Sequence, residues 1–435
     1  MGNINRIRWL ALLSLCILFF GQLSLVHAQE ITVKPDITSP SAILTEAHNG
    51  QILYEEEARQ TYPIGQLTKI LSLCVLVDAI QAEEIHWQDT VVVSDAAYAL
   101  SQDYNLANVP LRQDVEYTVE ELVEAVAMVS ANGAMLALCE HLTGSEEAFV
   151  QLMQTQLAEW GYDFEEVYNA TGLAPESESQ PVNQLSAESL ATAAYHLITS
   201  YPEILAVTSQ EQSVFQAGTS DAFDMMNMND MLPSGSQPYS GMEGLAVSQA
   251  DESRINFVAV ATKGNLTLLA VLLNTDETDI YTNMRRFLDY GFANYMLDDV
   301  AQAGAPVRQV AQVDVHEGRQ PSVQLLFQED LSIVVPLVDI APRLIYELTL
   351  NEQYLVDDQC LEAPLPKGQT VGYVTVTGTE QKPTYLPQAQ GNRVAVITAK
   401  EVAQAPWYMR TWRVISYRVQ DTWRNIRRVA IQWFN

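Results

Sequence analysis

The chain has 435 residues, with 23 basic against 54 acidic side chains and a formal charge of −31. That excess of acid argues against a nucleic-acid partner, because binding phosphate requires a basic face. Six scattered histidines show no metal-ligand spacing, so neither a metal nor a cofactor is expected.

Residues 1–28 carry Arg6 and Arg8, an apolar run over 9–20 and the small-residue box Val26-His27-Ala28. This is the pattern of a cleavable secretory signal, and the run is short for a span of about 20 residues. Export is therefore expected. Between residues 43 and 54, two apolar runs flank Asn49-Gly50, a strong hairpin signal. An apolar helix is predicted over 67–80. A second opens at Thr118, with Glu121 at capping-box spacing, and reaches His141 ahead of Gly144. Helical pattern continues over 146–160 and 187–198. Residues 255–260 and 266–273 then alternate around Lys263-Gly264-Asn265, which predicts a further hairpin. These elements describe helices inserted between the strand pairs of one sheet, an α+β domain over 29–300.

Composition changes near residue 300. Short strands with turn residues fill 307–376, so a separate all-β domain, a β-sandwich over 301–406, is expected. Within it 383–392 reads as a loop and 393–397 as a last strand. In 407–435 an apolar stripe runs from Tyr408 through Trp412 and Trp423 to Trp433, while six arginines cover much of the remaining surface. Charge at every turn forbids spanning a bilayer. The helix is expected to lie in the membrane interface, each arginine contributing about 1 kcal/mol near anionic lipid. Between the two ends, residues 29–406 hold 15 basic and 53 acidic side chains, a formal charge of −38. That charge would hold the body off the surface that the tail grips. Of the cysteines, Cys16 leaves with the signal, Cys74 and Cys139 read as buried thiols, and Cys360 stands apart.

The order of these pieces resembles the low-molecular-weight penicillin-binding proteins, the serine D-alanyl-D-alanine carboxypeptidases that trim peptidoglycan stems. The resemblance is carried by SAILTEAHNGQILYEEEARQTYPIGQLTKIL (41–71), MVSANGAMLALCEHLTGSEEAFVQLM (128–153), NATGL (169–173), INFVAVATKGNLTLLAVLLNT (255–275) and APLPKGQTVGYV (363–374). It covers nearly the whole chain, and a terminal basic amphipathic helix is also a family trait. It implies a β-lactamase-like domain of antiparallel sheet and flanking helices, followed by the smaller β domain and a membrane-anchoring helix. The expected place is the outer face of the cytoplasmic membrane.

The family's mechanism uses three motifs. Ser-x-x-Lys sets a lysine amine beside the nucleophilic hydroxyl, Ser-x-Asn relays the proton and orients substrate, and Lys-Thr-Gly receives the terminal carboxylate. Here the first reads Gln66-Leu67-Thr68-Lys69, so the lysine is kept and the nucleophile position holds glutamine. None of the six lysines has a serine three residues before it. The second survives as Ser130-Ala131-Asn132. The third is placed at Met242-Glu243-Gly244, where a thioether and a carboxylate replace the cation and hydroxyl. No lysine lies between Lys69 and Lys263, so the loss of the cation does not depend on that placement. Lys69 is expected to pair with Glu243 across the cleft.

The leading expectation is a degenerate carboxypeptidase that binds a peptidoglycan stem peptide or a cell-wall protein. A second is an active enzyme with a displaced nucleophile, Ser72 or Ser130. A third makes the β domain and tail the functional parts.

Overall fold

The computed structural model describes residues 34–410, apart from 176, 178, 252, 308–311, 338–343, 358–359 and 378–382. The expected signal segment lies outside these residues. So does the expected C-terminal helix beyond residues 407–410, which are helical. No described helix is long and apolar enough to cross a membrane.

Strict alternation with both faces apolar builds the central sheet. Its strands are β1 (Ser41–Glu46), β2 (Ile52–Glu56), β3 (Met242–Gln249), β4 (Arg254–Lys263) and β5 (Leu266–Asp276). They run antiparallel in the order β2-β1-β5-β4-β3. Both predicted hairpins are present. Along β5, Leu269, Val271 and Leu273 enter one core while Leu268, Ala270 and Leu272 enter another, so each face requires a covering layer.

The first face is covered by α1 (Thr68–Gln81), α2 (Val119–Val129), α3 (Asn132–Thr143), α4 (Glu146–Glu159) and α5 (Ala187–Ser200). Helix α1 is buried over nearly its whole length, as a helix apolar on all sides must be. The second face is covered by α6 (Ile280–Asn294), which the sequence reading did not assign. Its Ile280, Met284, Phe287 and Leu288 pack on Phe257 and Leu268. Gly291 permits this approach: a Cβ there would lie 2.5 Å from Leu268 Cδ1.

The capping box at Thr118 is present, with Glu121 N donating to Thr118 Oγ1 at 3.2 Å and Thr118 N donating to Glu121 Oε2 at 2.8 Å. Such a cap stabilises a helix by about 1 kcal/mol. The single helix expected from 118 to 141 is corrected to two. Ser130 adopts a left-handed conformation (φ 58°, ψ 37°) that ends α2, and α3 restarts at Asn132. Cys74 and Cys139 are buried free thiols, and Cys360 is half-buried.

In the β domain, two four-stranded sheets close on a core that includes Val315, Leu325, Ile333, Leu361, Val374 and Val396. The expected last strand is Arg393–Thr398. The preceding loop is pinned to the β1–β2 hairpin, with Ile52 N donating to Thr384 O at 2.8 Å and Leu386 N to Gly50 O at 2.9 Å. Leu386 is buried in the first core.

Candidate active site

A turn of 3₁₀ helix, Gly65–Leu67, precedes α1 and sets Gln66 and Lys69 on one side of its entrance. Across from it stands the α2–α3 break. The left-handed turn at Ser130 brings its hydroxyl to Gln66, and Ser130 Oγ donates to Gln66 Oε1 at 2.8 Å. The restart of α3 sets Asn132 against α1, where its Oδ1 accepts from Lys69 Nζ at 2.7 Å. Asn132 Nδ2 donates to Ala107 O at 2.9 Å, which fixes the orientation of the amide. Lys69 Nζ also donates to Thr171 O at 2.7 Å and to Gln66 Oε1 at 3.4 Å. Thr171 belongs to the loop 169–173, which lies close because Gly172 (φ 73°) has no side chain. A Cβ there would lie 2.0 Å from Gly65 O.

Gln66, Lys69, Ser130 and Asn132, dispersed over 67 positions, thus form one connected network. Lys69 is 3% exposed and Asn132 fully buried. Burial holds the Lys69 pKa down to about 7, partly offset by the nearby Cys139 and Glu146. Its three protons have three acceptors. A lysine held near neutrality beside a hydroxyl is suited to accept that hydroxyl's proton. At residue 66, however, it meets a carboxamide oxygen, which has no proton to give.

The strand wall differs from expectation. Met242 turns to the far face of the sheet and packs with Met231, Leu232 and Tyr239. Glu243 sits where the β3–β4 register shifts; its Oε2 accepts from Thr262 Oγ1 at 3.1 Å and its carbonyl from Thr208 Oγ1 at 2.7 Å. Gly244 lies against Thr208. None of the three lines the cleft, an open depression that meets β3 at Leu245, Ala246 and Val247. The expectation that 242–244 faces the cleft is corrected on this ground. The expected Lys69–Glu243 pair is corrected too, since Lys69 has its protons on Gln66, Asn132 and Thr171 while Glu243 takes Thr262.

Two residues of this wall matter that sequence reasoning missed. Ala246 packs on the helix-side core, and Ser248, two positions on and so on the same face, accepts from Gln66 N at 2.7 Å through its Oγ. The rest of the cleft is largely apolar and includes Ile70, Leu73, Val126, Leu197 and Ile204. Ser72 does not line it. That side chain is fully buried and donates to Ala170 O at 2.8 Å. Among the described residues, no cluster of His, Cys, Asp or Glu is placed to hold a metal ion.

The fold agrees with three comparisons. The family model for D-alanyl-D-alanine carboxypeptidase matches residues 28–277, and that for the penicillin-binding protein 5 C-terminal domain matches 295–404. The chain is 26% identical over 333 residues to the D-alanyl-D-alanine carboxypeptidase DacF of Bacillus subtilis, covering 76% of this chain and 79% of the relative. It is also 26% identical over 342 residues to DacA of Haemophilus influenzae, covering 78% and 81%. Among solved structures, a peptidoglycan synthesis regulatory factor (PBP3) from Streptococcus pneumoniae superposes with a TM-score of 0.71 at 27% identity, covering 84% of this chain and 99% of that one. The protein accordingly belongs to the D-alanyl-D-alanine carboxypeptidase family of cell-wall proteins, with a β-lactamase-like domain and a C-terminal β domain of the penicillin-binding protein 5 type.

Proposed function

We propose that this protein is exported to the cell envelope, held at the membrane surface by its basic C-terminal helix, and acts there by binding rather than by acyl transfer. Its partner is a peptidoglycan stem peptide or a cell-wall protein. The carrying observation is the carboxamide of Gln66, three residues before a buried lysine, accepting protons from both Ser130 and Lys69. In a serine peptidase whose catalytic groups act as a unit, removing the nucleophile costs about 10⁶ in turnover, or about 8 kcal/mol of barrier. The second deficit is independent. The strand face opposite Gln66 presents Ala246 and Ser248, so the segment 246–248 is the better counterpart of Lys-Thr-Gly, and it offers no cation for a terminal carboxylate.

A displaced nucleophile is disfavoured by geometry. Ser72 is sealed below the cleft, and Ser130 donates to Gln66 with no hydrogen bond to Lys69. The signal and the tail support location through their sequence patterns alone. The test is calorimetry and product analysis of the purified chain with a stem pentapeptide ending in D-Ala-D-Ala. Saturable binding without D-alanine release is expected. Release of D-alanine that Ser130→Ala abolishes would establish the active alternative.

A further inference from the structure

The backbone N–H of Gln66 is already occupied. It donates to Ser248 Oγ at 2.7 Å, and Ser248, only 6% exposed, passes its own proton toward Gln249 O at 3.3 Å. The strand presses closely on this turn. A Cβ added to Gly65 would lie 2.6 Å from Ser248 Oγ and 2.4 Å from Gln249 O. Serine acyl transfer uses the nucleophile's own N–H as a donor of the oxyanion hole, because the oxygen that gains charge is bonded to the carbon under attack. An oxygen within hydrogen-bonding distance of that N–H therefore sits where the acyl carbonyl oxygen has to go.

We infer that Ser248 is a built-in occupant of the oxyanion seat, its hydroxyl capping the Gln66 N–H and closing the cleft to acyl groups independently of the missing nucleophile. The inference rests on the reading of residue 66 as the former nucleophile position. Three donors around that residue are satisfied from within: Ser130 Oγ and Lys69 Nζ reach the side-chain oxygen, and the backbone N–H reaches Ser248. An entering carbonyl has to displace a neutral hydroxyl held 2.7 Å from that N–H. Restoring the serine alone then leaves the chemistry blocked.

The test compares full-length chains carrying Gln66→Ser, Ala246→Lys and Val247→Thr with the same chains carrying Ser248→Gly in addition. The readout is the rate of covalent labelling by a fluorescent penicillin. Losing one oxyanion donor costs about 10²–10³ in rate, so the added glycine should speed labelling by at least about 100-fold. Equal rates with and without it overturn the inference. An independent measurement needs no chemistry at residue 66. In Ser248→Ala, amide hydrogen exchange at Gln66 should run at least about tenfold faster than in the parent, as a hydrogen bond is lost. Unchanged exchange also overturns the inference, and it decides the matter if neither revertant is labelled. Failure of the lost-chemistry reading registers elsewhere, as labelling of the parent chain itself.

Discussion

On its helical wall the cleft carries a closed polar network, with Lys69 bonded to Asn132, Thr171 and Gln66 and Ser130 bonded to Gln66. On its strand wall it carries Leu245, Ala246 and Val247, with Ser248 turned onto the Gln66 N–H. The two walls differ in what a substitution does to the fold. A buried ammonium without its acceptors is an uncompensated charge, so Lys69 and Asn132 hold each other in place whether or not a substrate is turned over. A strand residue whose partner was only the substrate's carboxylate has no such tie. Retention of Lys69 and Asn132 is thus weak support for activity, whereas the composition of the strand wall bears directly on it.

Substitutions sharpen this contrast, beginning with the largest effect. Asn132→Ala removes an acceptor from buried Lys69, and chemical denaturation should report a loss of about 1.5–3 kcal/mol. A loss under about 1 kcal/mol would show that the network is not what fixes the helical wall. The second effect is a pH dependence. Because burial lowers the Lys69 pKa to about 7 in the folded state while the unfolded chain titrates near 10.5, the unfolded state binds more protons between those values. Stability contributed through this group therefore rises as pH increases from about 7 toward 10.5. Relative to a Lys69→Met variant, the parent should gain stability across that window; parallel curves would place the amine in a more solvated state. Gln66→Ala should cost about 1 kcal/mol, since it removes an acceptor shared by two donors. Ala246→Ser on the strand wall should change stability by no more than about 0.5 kcal/mol. A large loss there would make the two walls alike and break the comparison.

Much of the scaffold was legible because it rests on local chemistry. The Asn49-Gly50 and Gly264-Asn265 turns predicted hairpins that β1–β2 and β4–β5 form, and the Thr118–Glu121 spacing predicted a capping box that is present. The break at Ser130 was hidden because a left-handed residue there is serine and not glycine, so apolar periodicity runs through it unmarked. Helix α6 was legible in principle from Ile280, Met284, Phe287 and Leu288. What makes it necessary is the second apolar face of β4 and β5, a fact of packing rather than of its own sequence.

The candidate site divides in the same way. Gln66, Lys69, Ser130 and Asn132 were identified in advance because enough of two motifs survives to mark their positions. The proposed strand counterpart, Ala246-Val247-Ser248, shares no residue with Lys-Thr-Gly, so nothing in the sequence marks it, whereas Gly244 invites a placement at 242–244. Pairing of Ala246 with Val258 and of Ser248 with Asn256 fixes which side chains reach the cleft, and register of that kind is not written in the residues themselves.

The central claim is that the site has lost acyl transfer while keeping its helical framework. Intact-mass spectrometry of the purified parent chain after prolonged exposure to benzylpenicillin tests it most directly. The account predicts an unchanged protein mass; a stoichiometric adduct of one penicilloyl group would contradict it.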